Sequence, residues 1–339
     1  MAHRIAINGY GRIGRAVVRA CYGSAQCREK IRIAAINELA SIDQIAYLTR
    51  YDSTHGPCPE QVTGSPGALQ INGDVIAVTA YRHITELPWA DHGIDIVLEC
   101  SGCHVSRTAL QPHLDQGAGR VILSCPGGDD LDATVVCGVN DQLLRKEHTI
   151  ISNASCTTNC IVPIIKVLDD ALGIERGMMT TIHSMMNDQP VLDSYHHSHD
   201  LRRCRSGVQS MVPVVTELAR GVGRILPHLA GRFQSASLRV PTANVSVIDL
   251  TVTVGRDIDR NGVNDLFQEA AAGSLAGILG YTEEPQVSSD FNGDSRSAVV
   301  DGSQTQVSGG RLVRVLAWFD NEWGYANRML DVAQRLLAF

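Results

Sequence analysis

Short, nearly continuous apolar runs alternate with helical patterns through the first half of the chain. Val, Ile, Leu and Ala fill these runs with little polar alternation, which is typical of strands buried on both faces of a parallel sheet. The Asn72-Gly73 pair stands between two β-prone runs and predicts a hairpin. We therefore predict a doubly wound α/β domain, with strands at residues 3–8, 31–37, 94–100, 119–125 and 149–154.

The pattern changes after residue 156. An apolar helical stripe runs along "IVPIIKVLDDALG", residues 161–173. Long β-prone segments follow at 235–254 and 311–319, with a predicted helix at 261–275 between them. Few crossover helices separate these strands, so we expect a mixed or antiparallel sheet with helices on one face. The domain boundary is predicted near residue 155, and the last segment of the chain is amphipathic.

Composition narrows the classes of function. The chain has 339 residues, which is long enough for two domains with their own cores. Its net charge of −7 is spread without long runs, so nucleic acid and acidic membranes are not expected partners. We find no run of apolar residues long enough for a membrane span and no export signal. Ten cysteines in such a chain predict a cytoplasmic protein with mostly free thiols.

A glycine motif follows the first predicted strand directly. Gly9, Gly11 and Gly14 have the G-x-G-x-x-G spacing that lets a backbone turn approach a pyrophosphate at a helix N-terminus. Glu38 ends the next strand, where a carboxylate accepts hydrogen bonds from ribose hydroxyls and repels a 2′-phosphate. The pattern predicts a site for NAD rather than NADP. The alternative is a glycine-rich turn with a surface glutamate.

Two cysteines lie four residues apart in "SNASCTTNC", residues 152–160. Two cysteines in one helical turn are poor disulfide partners, and two ligands alone make no zinc site. Cys156 falls where a strand gives way to a helix, and the positive end of the helix dipole should lower its pKa. Cys160 lies one turn deeper, where burial makes a thiol inert. We predict that Cys156 is a nucleophile. His183, at the end of a strand, is the best candidate base, although a purely structural histidine is an equally good reading.

Two further motifs suggest metal chemistry and are set aside. "CSGCH" at 100–104 matches the attachment pattern of c-type haem, but it follows a buried strand in a chain without an export signal. "HHSH" at 196–199 lacks partners at ligand spacing and lies in a polar, loop-like stretch. We predict neither haem nor a metal site.

Six motifs, spread in order along almost the whole chain, resemble the glyceraldehyde-3-phosphate dehydrogenase superfamily. They are "INGYGRIGR", "YDSTHG", "SNASCTTNC", "TTIHS", "RVPTANVSVIDLTV" and "WFDNEWGYANRM". The resemblance implies NAD-dependent oxidation of a sugar-phosphate aldehyde. Cys156 would attack the aldehyde to give a thiohemiacetal, and His183 would raise the thiol's reactivity and take the proton as hydride leaves. The thioester that remains would be attacked by phosphate or water.

The resemblance also implies domain roles, an assembly and further site residues. It implies a Rossmann domain at 1–155, to which a C-terminal helix at 321–339 returns, an α+β catalytic domain at 156–320, and a homotetramer. Arg12 and Ile13 would belong to the pyrophosphate loop, and Asn321 would contact the nicotinamide carboxamide. Ser155 and Thr157 would flank the nucleophile at the substrate, and Arg239 would hold a phosphate.

Departures from the glyceraldehyde-phosphate pattern favour one branch of the superfamily. Met186 stands where that pattern has a phosphate-binding threonine, and Thr216-Glu217 replaces the threonine–glycine of the inorganic-phosphate site. Together with "INELA" and "DLRRCR", these changes resemble the D-erythrose-4-phosphate dehydrogenase branch, although that branch leads us to expect lysine at 217. The branch implies that Arg203 binds substrate and Arg82 contacts the cofactor.

The branch implies oxidation of D-erythrose 4-phosphate to 4-phosphoerythronate in pyridoxal 5′-phosphate biosynthesis, with water resolving the thioester. The nearest alternative is a phosphorylating glyceraldehyde-3-phosphate dehydrogenase of glycolysis with an altered phosphate site. An alternative of another class is a non-catalytic NAD-binding redox sensor. The combination of Cys156 and His183 with Asn321 and Arg239 argues against the sensor.

Overall fold

A computed structural model describes residues 2–196 and 198–339, and the chain forms two compact units. The first unit comprises the chain up to Ser155 together with Tyr325–Phe339, and the second comprises Cys156–Gly324. We refer to them as the NAD-binding unit and the catalytic unit, after the roles that the family resemblance implies for them. The predicted fold class, a Rossmann-type domain plus an α+β domain with a mixed sheet, is confirmed.

The NAD-binding unit alternates strands and helices before its sheet is extended by a hairpin. Its elements are β1 His3–Asn8, α1 Arg12–Tyr22, α2 Ala25–Lys30, β2 Ile31–Asn37, α3 Ile42–Arg50, β3 Val62–Ser65, β4 Ala68–Ile71, β5 Asp74–Thr79, β6 Ile96–Glu99, α4 Arg107–Asp115, β7 Arg120–Leu123, β8 Ala133–Thr134 and β9 Ile150–Ser152.

The sheet of this unit has the strand order β3-β4-β5-β2-β1-β6-β7-β9-β8. In this order, every neighbouring pair from β5 through β2, β1, β6, β7 and β9 to β8 is parallel. The pairs β3–β4 and β4–β5 are antiparallel. The central strands are the nearly continuous apolar runs of the sequence, and Ile5, Ile7, Val97 and Leu98 have no exposed surface. Asn72 and Gly73 join β4 to β5 with φ of 51° and 87°, the conformation of the tight turns that favour Asn-Gly.

The catalytic unit begins at Cys156 with the longest helix of the described chain. Its elements are α5 Cys156–Leu172, β10 Ile174–His183, β11 Val212–Val214, α6 Leu218–Ile225, β12 Phe233–Arg239, β13 Ser246–Val254, α7 Arg260–Ala272, β14 Leu279–Thr282, β15 Ala298–Asp301, β16 Gln306–Ser308 and β17 Leu312–Phe319, after which α8 Trp323–Leu337 leads back to the NAD-binding unit. Short 3₁₀ turns lie at Ile84–Glu86, Asp141–Leu143, Leu201–Cys204, Pro227–Leu229, Ser288–Phe291 and Gly302–Gln304.

The sheet of the catalytic unit is mixed. Its strand order is β11-β12-β10-β13-β17-β15-β14, and β16 pairs with β17. β10 runs parallel to β12 and antiparallel to β13, while β14 and β15 are parallel. Alternate residues of β13 and β17 are buried, as in a sheet covered on one face. α5 contacts β10, β13, β15 and β17 and covers that face.

The structure divides one predicted strand segment and adds short strands that the apolar pattern did not predict, among them β14 and β15. The segment 235–254 contains β12 and β13, which are separated at residues 240–245. Pro241 lies in this break. Proline has no N–H to donate to a neighbouring strand, so strand pairing is interrupted there. β14 and β15 were missed because each spans only four residues.

Candidate active site

The dinucleotide loop is held against the end of β6. Gly9 has φ of +89°, and a Cβ built on it would lie 2.5 Å from the Cα and the N of Ser101. Only glycine fits this approach. Gly11 is the N-cap of α1 and has no side-chain cap, so the first amides of the helix are left for an anion. Arg12 and Ile13 form the first turn of α1, and Gly14 is buried beneath the loop.

A cavity of about 440 Å³ opens beside this loop. It is lined by Gly9, Gly11, Glu38 and Arg82, together with Asn8, Asn37, Leu39, Tyr81, Ile84, Leu87, Cys100, Ser101, Cys103 and His104. Four of the predicted cofactor residues therefore share one cavity. Its glycine rim and uncapped helix N-terminus fit a dinucleotide pyrophosphate.

Glu38 lies at the end of β2 with its carboxylate fixed by backbone amides. Oε2 accepts from the Tyr10 N–H at 2.9 Å, and Oε1 accepts from the N–H of Leu39 at 2.7 Å and of Ala40 at 3.2 Å. A carboxylate held in this way presents a fixed negative charge in the cavity. That charge suits the two ribose hydroxyls of NAD and disfavours the added phosphate of NADP.

Arg12 is paired within the NAD-binding unit. Its Nη1 donates to Asp52 Oδ2 at 2.6 Å, and Asp52 also accepts from the N–H groups of Thr54 and His55. Burial raises the pKa of Asp52, but these backbone hydrogen bonds and Arg12 outweigh it and lower the pKa to about 2. Asp52 therefore fixes Arg12 at the start of α1.

A buried polar network supports the loop from below and was missed by the sequence analysis. Glu99, at the end of β6, has no exposed surface. Its Oε2 accepts from Asn8 Nδ2 at 2.6 Å, and its Oε1 accepts from the Ser101 N–H at 2.8 Å. Asn37 Nδ2 in turn donates to Asn8 Oδ1 at 2.9 Å. The signal that could have revealed this network is a polar residue at or next to the end of three predicted strands: Asn8 and Asn37 end 3–8 and 31–37, and Glu99 is the penultimate residue of 94–100.

The position of the proton on the His113 ring follows from the hydrogen bond that Trp89 donates to it. Trp89 Nε1, which can only donate, lies 2.9 Å from His113 Nδ1. His113 Nδ1 is therefore an acceptor, and its Nε2–H donates to Glu99 Oε2 at 3.0 Å. Burial raises the pKa of Glu99, yet the hydrogen bonds from His113, Ser101 and Asn8 lower it below the ordinary value. Glu99 is thus a buried carboxylate surrounded by donors.

The candidate nucleophile and base meet in the catalytic unit. Cys156 is the first residue of α5 and His183 the last of β10, and Cys156 Sγ lies 3.9 Å from His183 Nε2. His183 Nδ1 lies 2.8 Å from the Ser184 carbonyl oxygen. Because a carbonyl can only accept, Nδ1 carries the proton and Nε2 directs its lone pair at the thiol. The ring also packs edge-on against Phe319.

The predicted lowering of the Cys156 pKa is wrong for the free protein. Burial raises the pKa of this thiol and outweighs the Thr157 hydroxyl and the N–H groups of Thr157 and Cys156, which lower it. Burial likewise lowers the pKa of His183, while its bond to the Ser184 carbonyl raises it. The pair is therefore a neutral thiol beside a neutral imidazole. Cys160 has no exposed surface, and burial raises its pKa further still.

Two serine hydroxyls orient Asn321 in the catalytic unit. Ser184 Oγ and Ser246 Oγ each donate to Asn321 Oδ1 at 2.9 Å, and the Ser184 N–H donates to Ser246 Oγ at 3.0 Å. These contacts turn the amide oxygen of Asn321 towards the serines and its amino group away from them. Ser184 follows His183 directly, so one short chain of hydrogen bonds joins the base to Asn321. Neither serine was predicted.

One carboxylate connects the two predicted substrate arginines. Asp188 accepts from Arg239 Nη1 at 2.7 Å and Nη2 at 3.1 Å, and from Arg203 Nη1 at 2.9 Å. Arg239 also donates to Gln189 Oε1 at 3.0 Å, and its Nη2 lies 3.6 Å from Met186 Sδ. Arg239 is buried, whereas Met186 and Asp188 are exposed. Asp188 was missed, although it lies five residues after His183.

The remaining predicted substrate residues lie on other elements. Thr157 is in the first turn of α5, with Oγ1 at 3.8 Å from Cys156 Sγ, and Ser155 precedes Cys156 in the chain. Thr216 Oγ1 accepts from the Leu218 N–H at 3.3 Å at the start of α6, and Glu217 is the exposed N-cap of that helix.

The structure has the ten cysteines as free thiols, so Cys156 and Cys160 are not bonded to each other. Across residues 2–196 and 198–339, no group of three His, Cys, Asp or Glu side chains is arranged to hold a metal ion. His197, within the "HHSH" motif, lies outside the described residues.

Comparison with protein families agrees with the geometry of both units. Residues 3–107 match the glyceraldehyde 3-phosphate dehydrogenase NAD binding domain, and residues 155–321 match the glyceraldehyde 3-phosphate dehydrogenase C-terminal domain. The chain belongs to the glyceraldehyde-3-phosphate dehydrogenase family.

As a member of this family, the protein is an NAD-dependent sugar-phosphate aldehyde dehydrogenase, an oxidoreductase. NAD is the cofactor predicted from Gly9, Gly11, Gly14 and Glu38, and that prediction is confirmed. No helix of the described chain is both long enough and apolar enough to span a bilayer.

Proposed function

We propose that this dehydrogenase oxidises D-erythrose 4-phosphate to 4-phosphoerythronate, with water resolving the thioester, on the route to pyridoxal 5′-phosphate. The observation that carries the proposal is Met186, whose thioether lies 3.6 Å from the guanidinium of Arg239. The glyceraldehyde-phosphate pattern has a threonine hydroxyl at this position. Methionine cannot donate a hydrogen bond, so the anion site beside Arg239 lacks a donor that a three-carbon phosphate would use.

The chain supplies the covalent part of this reaction from Cys156 and His183. As Sγ attacks the aldehyde carbon, His183 Nε2 takes the thiol proton, because Nδ1 already carries its own proton. General-base transfer is required here, since burial disfavours a free thiolate. The product is a hemithioacetal bonded to Cys156. As its hydroxyl forms, Nε2 passes the thiol proton to the oxygen, so His183 is neutral again. NAD, when bound, would supply the hydride acceptor. As the hydride leaves, Nε2 takes the hydroxyl proton and then releases it to solvent.

Resolution of the thioester depends on the group that attacks it. In our proposal His183 Nε2 takes a proton from water as the water oxygen adds to the acyl carbon. The C–S bond then breaks, and Nε2 gives that proton to the departing Sγ, which restores the Cys156 thiol and neutral His183. Glu217 supports water, rather than inorganic phosphate, as the group that attacks the thioester. It places an exposed carboxylate at the N-cap of α6, where the helix dipole would otherwise favour an anion beside Thr216.

The phosphate of the substrate would bind at Arg239 and Arg203. Asp188 holds both guanidinium groups in place, so two positive charges share one negative partner. The net positive charge suits a phosphate monoester, and Arg239 is already fixed by Gln189. The two arginines are thus preorganised before substrate arrives.

Assembly and location complete the proposal. Large apolar side chains are exposed along the segment that follows His183, and they include Val191, Leu192, Tyr195, Leu201 and Met211, at 68–104% exposure. Such surface is commonly covered by a partner. We assign it to subunit contacts of a homotetramer working in the cytoplasm.

The test is NADH production by the purified protein with each aldehyde, with and without inorganic phosphate. We expect turnover of erythrose 4-phosphate that does not depend on phosphate, and much weaker turnover of glyceraldehyde 3-phosphate. A Cys156→Ser variant should lose both activities, whereas Cys160→Ser should keep them. Turnover of the three-carbon aldehyde alone, and only with phosphate, would identify a glycolytic phosphorylating enzyme and overturn the proposal.

A further inference from the structure

Two thiols that take no part in the proposed reaction lie in contact in the NAD-binding unit. Cys21, in the last turn of α1, and Cys27, in α2, have their Sγ atoms 3.3 Å apart and share one hydrogen bond. Ser24, in the turn between the helices, accepts from the Cys27 N–H at 3.2 Å and so fixes Cys27 in the first turn of α2. The two sulfur atoms are therefore held in place by both helices.

The pair is buried but has a route to solvent. Cys21 is 1% exposed and Cys27 is 4% exposed. A cavity of about 240 Å³ reaches Cys21, and it is lined by Ala2, Tyr22, Arg28, Ile31, Arg32, Ile33 and Asp74 in addition to the thiol. A small oxidant in this cavity meets Cys21, and Cys27 Sγ lies only 3.3 Å from Cys21 Sγ, so it can reach either thiol of the pair.

The charges around the pair make its two members unequal. The hydrogen bond between the two thiols lowers the pKa of Cys27, against burial and Asp331, and Lys30 adds to the lowering. The same hydrogen bond, with burial and Asp74, raises the pKa of Cys21 against the effect of Arg28. Cys27 is therefore the member that ionises first, and Cys21 is the thiol that supports it.

We propose that Cys21 and Cys27 are a redox modification site, which a small peroxide converts to an intramolecular disulfide. The Cys27 thiolate attacks one oxygen of hydrogen peroxide, the O–O bond breaks, and the departing hydroxide takes a proton to become water. The Cys21 sulfur then attacks the sulfenic sulfur of Cys27. The S–O bond breaks, and a second water leaves with the Cys21 proton. Two thiols are oxidised by two electrons, and the peroxide is reduced to two waters.

The site is chemically separate from the active-site thiol. Cys156 belongs to the catalytic unit, and a small adjacent thiol pair can react without it. Cys137 provides the internal comparison, since it is as buried as Cys21 and its pKa is raised to about 12 by burial. Buried thiols of that kind are inert to peroxide.

The sequence offers a direct assay. Trypsin cleaves after Arg19 and Arg28, so Cys21 and Cys27 fall on one peptide, residues 20–28, with no other cysteine. The holoenzyme is treated with hydrogen peroxide, quenched in acid, alkylated in denaturant and digested. We expect the alkyl adducts on this peptide to fall from two to none, with loss of the mass of two hydrogen atoms, and dithiothreitol should restore both adducts.

Three controls decide the result. A Cys156→Ser protein should form the disulfide equally well, which separates this site from the proposed catalysis. In a Cys27→Ser protein the Cys21 adduct should persist, as should the Cys137 adduct in every sample, and circular dichroism checks that each variant is folded. If peptide 20–28 keeps both adducts at a peroxide dose that consumes Cys156 of the unmodified enzyme, the proposal is wrong. Formation of the disulfide only after unfolding in urea would also overturn it.

Discussion

At the scale of single residues, the proposed reaction depends on the protonation of His183. Nε2 must be unprotonated to take the thiol proton, and burial lowers the pKa of this ring below its ordinary value of 6.5. The active form is therefore present above the lowered pKa and is lost only as pH falls through it. A buried imidazole keeps the base available in mildly acidic solution.

We expect kcat/KM for the aldehyde to fall in acid with a midpoint below 6.5, the ordinary pKa of histidine. Steady-state rates across the acid range measure this midpoint, with His199→Gln, at an exposed histidine, as a matched control that keeps the same profile. An acid midpoint at or above 6.5 would contradict the neutral, buried His183. A His183→Gln variant should lose the acid limb along with most of the turnover.

Met186 offers a second prediction at this scale. Met186→Thr returns a hydroxyl donor to the side of Arg239 that the thioether now occupies. A hydrogen bond to a charged group contributes about 1.5–3 kcal/mol, so kcat/KM for glyceraldehyde 3-phosphate should rise about 10- to 150-fold relative to erythrose 4-phosphate. Val191→Thr, at an exposed site in the same segment, is the matched control. An unchanged ratio would mean that position 186 does not select the substrate.

The position of Cys156 at the start of α5 could be predicted from sequence, whereas the protonation state of its thiol could not. A cysteine at the start of a helix indicates a thiol beside backbone amides, and those amides do act on Cys156 Sγ. Burial of the Cys156 thiol raises its pKa by more than those amides lower it. The sequence does not show how deeply a residue at the junction of a strand and a helix is buried. The Sγ–Nε2 approach to His183 depends on how β10 and α5 pack. Asp188 and Ser246 were missed for the same reason, because their roles arise only from tertiary contacts.

At the scale of elements, the ends of three strands support the cofactor site together. Asn8, Asn37 and Glu99 end β1, β2 and β6, which are neighbours in the sheet, and a chain of hydrogen bonds joins them. Their parallel order brings these ends to one edge, beneath the glycine loop. The nearly continuous apolar strands could be predicted from the run of apolar residues along the chain. The break between β12 and β13 and the short strands β14 and β15 were not, because a run of β-prone residues does not mark where pairing stops.

Glu99→Gln tests the role of this edge. Asn8, Ser101 and His113 all donate to the carboxylate, so an amide NH₂ would face a donor. We expect a loss of about 1–3 kcal/mol in the free energy of unfolding and a raised KM for NAD, with kcat nearly unchanged. Urea unfolding and NADH kinetics measure these effects. Glu29→Gln, at an exposed glutamate of the same unit, should change neither.

The same variant should change the response to acid. Because the pKa of folded Glu99 is lowered from 4.5, its stabilisation is fully present above that pH. It is lost as pH falls through the lowered value. The parent enzyme should therefore lose more stability below pH 4.5 than Glu99→Gln does. Parallel acid curves for the two proteins would show that Glu99 is not the ionised centre of the network.

At the scale of the whole molecule, the NAD-binding unit is built from both ends of the chain. The chain leaves it at Ser155 and returns at Tyr325, and α8 carries a buried face that includes Tyr325, Met329 and Leu336. Arg120 donates to the Leu336 carbonyl at 2.6 Å, and Arg335 pairs with Asp141. The amphipathic pattern of the last segment predicted a helix. That this helix belongs to the NAD-binding unit was expected only from the family resemblance. A contact between residues far apart in the chain leaves no pattern in the local sequence.

One hydrogen bond joins the two chain segments of the NAD-binding unit just ahead of Cys156. Tyr325 Oη donates to the Ala154 carbonyl at 2.9 Å, and Ala154 has φ of +54°, a conformation that costs a non-glycine residue about 1–2 kcal/mol. Tyr325→Phe removes the partner of a buried carbonyl, so we expect a loss of about 1–2 kcal/mol in unfolding free energy. Since Ala154 lies two residues before Cys156, kcat should fall while KM for NAD stays constant. Tyr51→Phe, at an exposed tyrosine, is the control. A variant with parental kcat would show that the turn is held by α5 and β9 without help from α8.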